Sequence, residues 1–208
     1  MFNLQKFQTN IKNNGVLHGN RFIVVMPVLQ AMNNVDSNYG EKLTLSAEAI
    51  SAPGMSFASA DGLPPRYGYG PIEGRPYGVL FDPVTITFMI DGHGSVYKYF
   101  YEWTNSIVNY RSQGQSMAVK NSINNAAPYE VSYKDDYCKD IFVYVLEPHH
   151  DSTKVTTEHV MKYTFFRAYP RALPQLNLAW REQNEYLRLP ITFDYTDFIV
   201  EFDKKQNH

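Results

Sequence analysis

The stretch Val84–Val108, VTITFMIDGHGSVYKYFYEWTNSIV, constrains this chain most, because it holds its clearest strand and its clearest helix, joined by a short turn. Val84, Ile86, Phe88 and Ile90 alternate with Thr85, Thr87, Met89 and Asp91, the period of two expected of a strand with one face on a core. Asp91-Gly92-His93-Gly94 breaks that period, and Ser95 is placed to cap a helix by accepting a backbone N–H. Val96, Phe100, Trp103 and Ile107 then recur on one helical face with Tyr99 beside them, while Lys98, Glu102 and Asn105 fall off it. Burying each large side chain contributes roughly 1.5–3 kcal/mol. Packing rather than intrinsic propensity is therefore expected to hold this helix, with Trp103 in the core.

A chain of 208 residues is long enough for one domain with a substantial core, and residues 1–208 are read as such. The formal net charge is −2, and the 19 basic residues are scattered, with Lys204-Lys205 their only adjacent pair, so no basic patch for nucleic acid stands out. Cys138 is the single cysteine, which excludes an intramolecular disulfide and a cysteine-based zinc site. No stretch approaches the roughly 18 apolar residues of a membrane-spanning helix, so no membrane insertion and a soluble product made in the cytoplasm are expected. Sixteen tyrosines and 13 phenylalanines favour β-structure with many half-buried positions. The expected class is mainly β, a β-sandwich or barrel with one principal α-helix.

Along the chain, Phe2, Leu4, Phe7 and Ile11 suggest a short amphipathic helix stopped by Asn13-Asn14-Gly15. Residues 21–29, RFIVVMPVL, read as a strand buried on both faces, or on one face with a subunit contact on the other, ending near an edge at Pro27. After a polar turn over 33–40, the alternating 43–50, LTLSAEAI, reads as a second strand able to pair with the first in a hairpin. Residues 51–80 hold six of the 12 glycines and five of the 12 prolines, too many for a regular core element. A long loop inside a compact domain is usually functional or disordered. Two readings follow: a surface loop ordered only by itself, or an extended arm reaching a neighbouring subunit. The interleaving of Arg66, Tyr67, Tyr69, Arg75 and Tyr77 makes these five the candidate interface residues, because aromatics and arginine supply large contact areas with polar ends. Beyond the helix, 111–128 reads as a polar solvent-facing loop, 129–133 as a short strand and 134–137 as a turn. Strands are expected over 141–146 and 160–167, a proline-marked connection over 170–174, and a last strand over 187–195 whose Pro190 implies an edge or a bulge.

Catalytic chemistry finds little to stand on. In Glu147-Pro148-His149-His150-Asp151, adjacent histidines on an extended chain point to opposite sides, so a solvated turn is favoured over a metal site. No zinc-protease helix, phosphate loop, dinucleotide fingerprint or nucleophile elbow is present. Asp91 and His93 flank a glycine-rich turn that could hold an anion, but helix capping explains them. The expectation is no enzyme, no cofactor and no metal. Abundant Tyr and Trp leave a carbohydrate-binding β-sandwich as an alternative of another class.

The succession of Asn20-Arg21-Phe22-Ile23-Val24-Val25, Ala49-Ile50-Ser51-Ala52-Pro53-Gly54, a Gly/Pro-rich arm, Phe81-Asp82-Pro83-Val84-Thr85-Ile86-Thr87-Phe88, a helix with Phe100-Tyr101-Glu102-Trp103, Leu176-Asn177-Leu178-Ala179-Trp180 and Leu189-Pro190-Ile191-Thr192-Phe193-Asp194-Tyr195 resembles the tail-tube protein family of contractile-tailed bacteriophages. The resemblance implies a structural virion protein of the tail, assembled in the host cytoplasm. It implies hexameric rings whose strands combine into one ring-shaped composite β-barrel, stacked into a tube that forms the channel for genomic DNA ejection, with tail sheath and baseplate proteins as partners. It assigns the 51–80 arm to contacts between subunits and rings. The polar 111–140 insertion and the 28–42 region exceed the compact members of the family, which suits outward contacts and leaves open a baseplate tube-initiator or tube-terminator ring instead of the repeating tube subunit.

Overall fold

The Val84–Val108 unit forms as its pattern requires. In the computed structural model, β5 spans Val84–Met89 and a 13-residue helix, α2, spans Ser95–Ile107. The structure describes residues 3–6, 8–9, 16–28, 39–61, 74–108, 131–146, 159–176, 178 and 186–202. Val84, Ile86 and Phe88 are fully buried, and Val96, Tyr99, Phe100 and Trp103 of α2 face them. Phe100 packs on Phe88 with centroids 4.9 Å apart and edge-on to Phe193 at 6.0 Å. Such contacts stabilise beyond the area they bury. The buried polar ends are satisfied: Tyr99 Oη donates to the Pro27 carbonyl at 2.6 Å, and Trp103 Nε1 donates to the Tyr137 carbonyl at 2.8 Å. The helix start differs from expectation. Gly94, at φ 66°, occupies the cap position, and Asp91 rather than Ser95 supplies the capping oxygen. A left-handed φ is open to glycine without penalty, which is why the turn ends there.

Around this unit the described strands are β1 (Phe22–Val25), β2 (Ala47–Ser51), β3 (Met55–Asp61), β4 (Gly74–Phe81), β6 (Lys139–Leu146), β7 (His159–Ala172), β8 (Arg188–Asp194) and β9 (Asp197–Phe202). The main sheet runs β1-β6-β7-β8-β5-β2 with β9 also on β7, every pair being antiparallel, and β3 pairs only with β4. One long strand joins the two halves of the sandwich. Residues Met161–Phe166 of β7 lie between β6 and β9, whereas Tyr169, Pro170 and Ala172 pair with β8. The break falls at Arg167, the one described non-glycine residue with positive φ, at 53°. Asp140 Oδ1 accepts its backbone N–H at 2.9 Å, and its guanidinium pairs with Asp135.

Several expectations are corrected. The strand predicted over 21–29 stops at Val25, at the outer edge of the sheet, with Val24 buried and Val25 exposed. The strand predicted over 43–50 is a strand only from Ala47, in β2; its first half is the end of a helix, α1 (Tyr39–Ser46). Leu43 and Leu45 alternate in sequence, but on the helix Leu43 enters the core and Leu45 faces out; Thr44 and Ser46 hydroxyls donate back to the Gly40 and Lys42 carbonyls. No hairpin joins these segments, since β1 pairs with β6 and β2 with β5. Of the strand expected over 129–133, the described residues 131–133 hold one bridge, between Val131 and Val108, and 134–137 is a one-turn helix, α3 (Lys134–Tyr137). β7 runs on through Pro170, where a bulge relieves the missing donor. Pro190 sits in an interior strand rather than at an edge or bulge; it lies beyond the last β7 partner, Thr192, so that flank has no ladder bond for proline to break. A further strand, β9, follows the one expected to be last. Residues 4–6 and 8–9 are helical, while Phe2, Phe7, Ile11, the 111–128 loop and the Glu147–Asp151 cluster lie outside the described residues.

Candidate subunit-interaction surface

The glycine- and proline-rich segment is not irregular throughout. Met55 and Phe57 alternate with Ser56 and Ala58, and Val79-Leu80-Phe81 returns opposite them, which is enough to form a β3–β4 hairpin. Met55 faces Phe81 and Phe57 faces Val79, so these four share one face of the ribbon. Tyr77 is the extra residue of a bulge between the pairs Ala58–Gly78 and Ser59–Pro76, a device that re-aims a side chain, and it is 76% exposed.

The root of the hairpin is fixed. Asp82 N–H donates to the Gly54 carbonyl at 3.3 Å, and a Cβ at Gly54 would stand 3.0 Å from Asp82 Oδ2, so a side chain there would push the Asp82 carboxylate aside. Phe81 packs edge-on to Phe198 at 5.3 Å, and Tyr195 Oη donates to the Asp82 carbonyl at 2.6 Å. Burial, with Asp82 and Asp197 adding to it, pushes the Tyr195 phenol up to about 12, so it remains a donor at neutral pH.

Beyond Phe81 the hairpin packs chiefly on itself and leaves Met55, Phe57, Tyr77, Val79 and Leu80 exposed, Phe57 by 59%. A two-stranded ribbon is marginal alone in water, and a contiguous apolar patch with open strand edges marks a contact surface. Of the five residues singled out in sequence, Arg75 and Tyr77 lie on β4, both exposed; Arg66, Tyr67 and Tyr69 lie outside the described residues. Met55, Phe57, Val79 and Leu80 were missed, although the period of two at Met55 and Phe57 was the signal that could have found them.

A second surface is the outward face of β2, β5 and β8. Ser51, Thr85, Thr192 and Ala172 line up across one row of the register and Ala49, Thr87 and Pro190 across the next, with Thr85 and Thr192 hydroxyls 3.1 Å apart. Its charges are paired. Arg188 Nε donates to Glu48 Oε2 at 2.8 Å, the Tyr186 hydroxyl donates to Glu48 Oε1 at 2.8 Å, and Arg171 lies 3.9 Å from Asp194. Arg188, then Tyr186, holds the Glu48 carboxyl below the usual range.

Among the described residues, no group of three or more His, Cys, Asp or Glu side chains could hold a metal ion, and no helix is long and apolar enough to cross a membrane.

A family model described as phage tail tube protein matches residues 5–201 of this chain. The tail tube terminator protein of Enterobacteria phage T4 is 28% identical over 172 residues, covering 81% of this chain and 84% of that protein. Among solved structures, a chain of the PVC sheath-tube complex, an extracellular contractile injection system in its extended state, superposes with TM-score 0.54 at 15% identity over 98% of this chain and 100% of that one. The tube-terminating cap of the anti-feeding prophage superposes with TM-score 0.55 at 17% identity, covering 90% and 92%. At these identities the structural matches establish a shared fold.

Proposed function

The chain belongs to the phage tail tube protein family, and on that premise we propose that it forms the hexameric ring that ends the tube of a contractile tail. The observation that carries this reading is the extended sequence match to the T4 tail tube terminator across more than four-fifths of both chains. A structural subunit of this kind acts by assembly and needs no catalytic residue. The repeating tube subunit is the second reading, favoured by the shared fold with the sheath-tube complex over nearly all of both chains.

In either reading the hairpin with Arg75 and Tyr77, together with Arg66, Tyr67 and Tyr69, makes the contacts between subunits. A ring subunit must cover its apolar ribbon and open edges against a copy of itself, and a closed ring leaves no such edge in solvent. The Thr/Ser/Ala face of β2, β5 and β8 suits a DNA channel, because unpaired Lys and Arg would bind phosphate and retard passage. Sheath and baseplate proteins are the partners of the outward surfaces.

Electron microscopy of the purified protein across concentration tests the proposal. Single rings that do not stack are expected, and added rings should stop a growing tail tube at a fixed length. Long tubes of constant axial repeat would replace the terminator by the tube subunit. A monodisperse monomer that is retained on glycans would overturn both.

A further inference from the structure

The outward row of β8 runs Arg188, Pro190, Thr192, Asp194, since Leu189, Ile191 and Phe193 between them are buried. Arg188 therefore stands at one end of the Thr/Ser/Ala face of β2, β5 and β8. β5 separates β2 from β8, and two strand spacings of about 4.8 Å put those strands about 10 Å apart. Glu48 of β2 crosses that distance. It is the extra residue of a bulge between the pairs Ala47–Phe88 and Ala49–Thr87, and a bulge re-aims a side chain.

Three side chains then close a circuit. Glu48 accepts from Arg188 Nε and from the Tyr186 hydroxyl, each at 2.8 Å, and Arg188 Nη2 donates to that hydroxyl at 2.6 Å. The guanidinium carbon lies 4.4 Å from the centroid of the Tyr186 ring, so one face of the guanidinium is stacked. These bonds engage two of the five N–H groups that an arginine carries, and the Arg188 side chain is still 54% exposed. A planar fork held on an aromatic ring with N–H groups to spare is well suited to a phosphate. What this one lacks is net charge. Glu48 sets an opposite charge against it, so the site offers a dipole in place of a free cation, and a phosphate arriving at the open N–H groups is repelled by the carboxylate beside them.

The geometry points to Arg188 as a latent phosphate site that Glu48 keeps shut, six to a ring. Glu48 is then the residue that lets DNA pass a wall carrying arginine, while Asp194, 3.9 Å from Arg171, offsets the cation at the far end of the same face. This inference rests on the channel reading of the β2-β5-β8 face above and adds which residue keeps that wall from holding DNA.

The test digests duplex DNA with nuclease in the presence of rings of Glu48→Gln, which keeps the length of the side chain and removes its charge. Protection is expected at about 50 mM salt and should be lost by about 200 mM, where six phosphate contacts weaken binding about a thousandfold. Wild-type rings should give none. The double variant Glu48→Gln, Arg188→Gln should lose the protection again, because no arginine is left to be released. If Glu48→Gln rings do not form, Glu48→Thr, a residue type already on this face, takes its place. Thr192→Lys rings, which keep the Glu48–Arg188 pair, separate the two claims. Protection by Thr192→Lys and by neither Glu48 variant would overturn the latent site and leave the channel wall in place. No protection by any of these variants removes the channel wall, and the inference with it. Protection by wild-type rings, or by the double variant as strongly as by Glu48→Gln, would show that Glu48 shuts nothing at Arg188.

Discussion

Asp91 Oδ1 accepts the backbone N–H of Ser95 at 2.6 Å, and that of Val96 at 3.4 Å, so the end of β5 caps the helix that follows it. Strand, turn and helix are thereby one unit. Partial burial pushes the Asp91 carboxyl up, but its hydrogen bonds with Ser95 and Val96 outweigh burial and hold it below the ordinary value. A carboxylate depressed in the folded state stabilises fully above its unfolded value, near 4, and loses that contribution as pH falls through the folded one. Asp91→Ala should cost about 1 kcal/mol at neutral pH. The gap to wild type in urea unfolding should narrow as pH falls below about 4. A gap independent of pH would mean that the charged carboxylate is not the cap.

Trp103 offers a cleaner separation of packing from hydrogen bonding. It is fully buried, stacks on Phe100 with centroids 6.5 Å apart, and donates to the Tyr137 carbonyl of α3. Trp103→Phe keeps much of the apolar volume but strands that carbonyl, at a cost of about 1–3 kcal/mol. Trp103→Ala should cost about 3–5 kcal/mol. Chemical denaturation of the two variants measures both, and a Phe variant as stable as wild type would show that the bond to α3 adds nothing.

What the sequence disclosed follows physical lines. β5 and α2 were legible because Val84, Ile86 and Phe88, and then Val96, Phe100 and Trp103, each keep one period long enough to exclude the other. α1 was misread because Leu43 and Leu45 imitate alternation within a helix of only eight residues, whereas the second half of that expected strand is β2. The passage of β7 through Pro170, and the interior place of Pro190, depend on which flank of a strand lacks a partner, a fact of pairing that no local pattern carries. The candidate surface was half legible. Arg and Tyr in the arm pointed to an interface, but glycine and proline content concealed that Met55 to Phe81 form a ribbon, and Glu48 meets Arg188 across 140 positions of sequence.

Arg167 carries the turn of β7 from one half of the sandwich to the other at φ 53°. A β-branched side chain is least tolerant of that region and glycine most. Arg167→Val should cost about 1–3 kcal/mol. Arg167→Gly should lie close to wild type, because the relief of strain offsets loss of an exposed ion pair with Asp135 that contributes about 1 kcal/mol at most. Thermal unfolding ranks the three. Equal stability of the Val and Gly variants would place the bend elsewhere.

The proposed channel role of the β2-β5-β8 face can be tested by adding a cation without a carboxylate partner. Thr85 and Thr192 are half-buried neighbours on that face, their hydroxyls 3.1 Å apart. Thr192→Lys should leave ring formation intact and place one cation per subunit around the lumen. Six such phosphate contacts make binding steeply salt-dependent, weakening it by about a thousandfold between 50 and 200 mM salt. Duplex DNA that threads the variant rings should be protected from nuclease at low salt, lose that protection at high salt, and remain unprotected by wild-type rings. Ile199→Lys on β9, exposed on the other half of the sandwich, supplies the control, since DNA drawn to the outside of a ring stays open to digestion. Equal protection by both lysine variants, or by neither, would remove the β2-β5-β8 face from the channel wall.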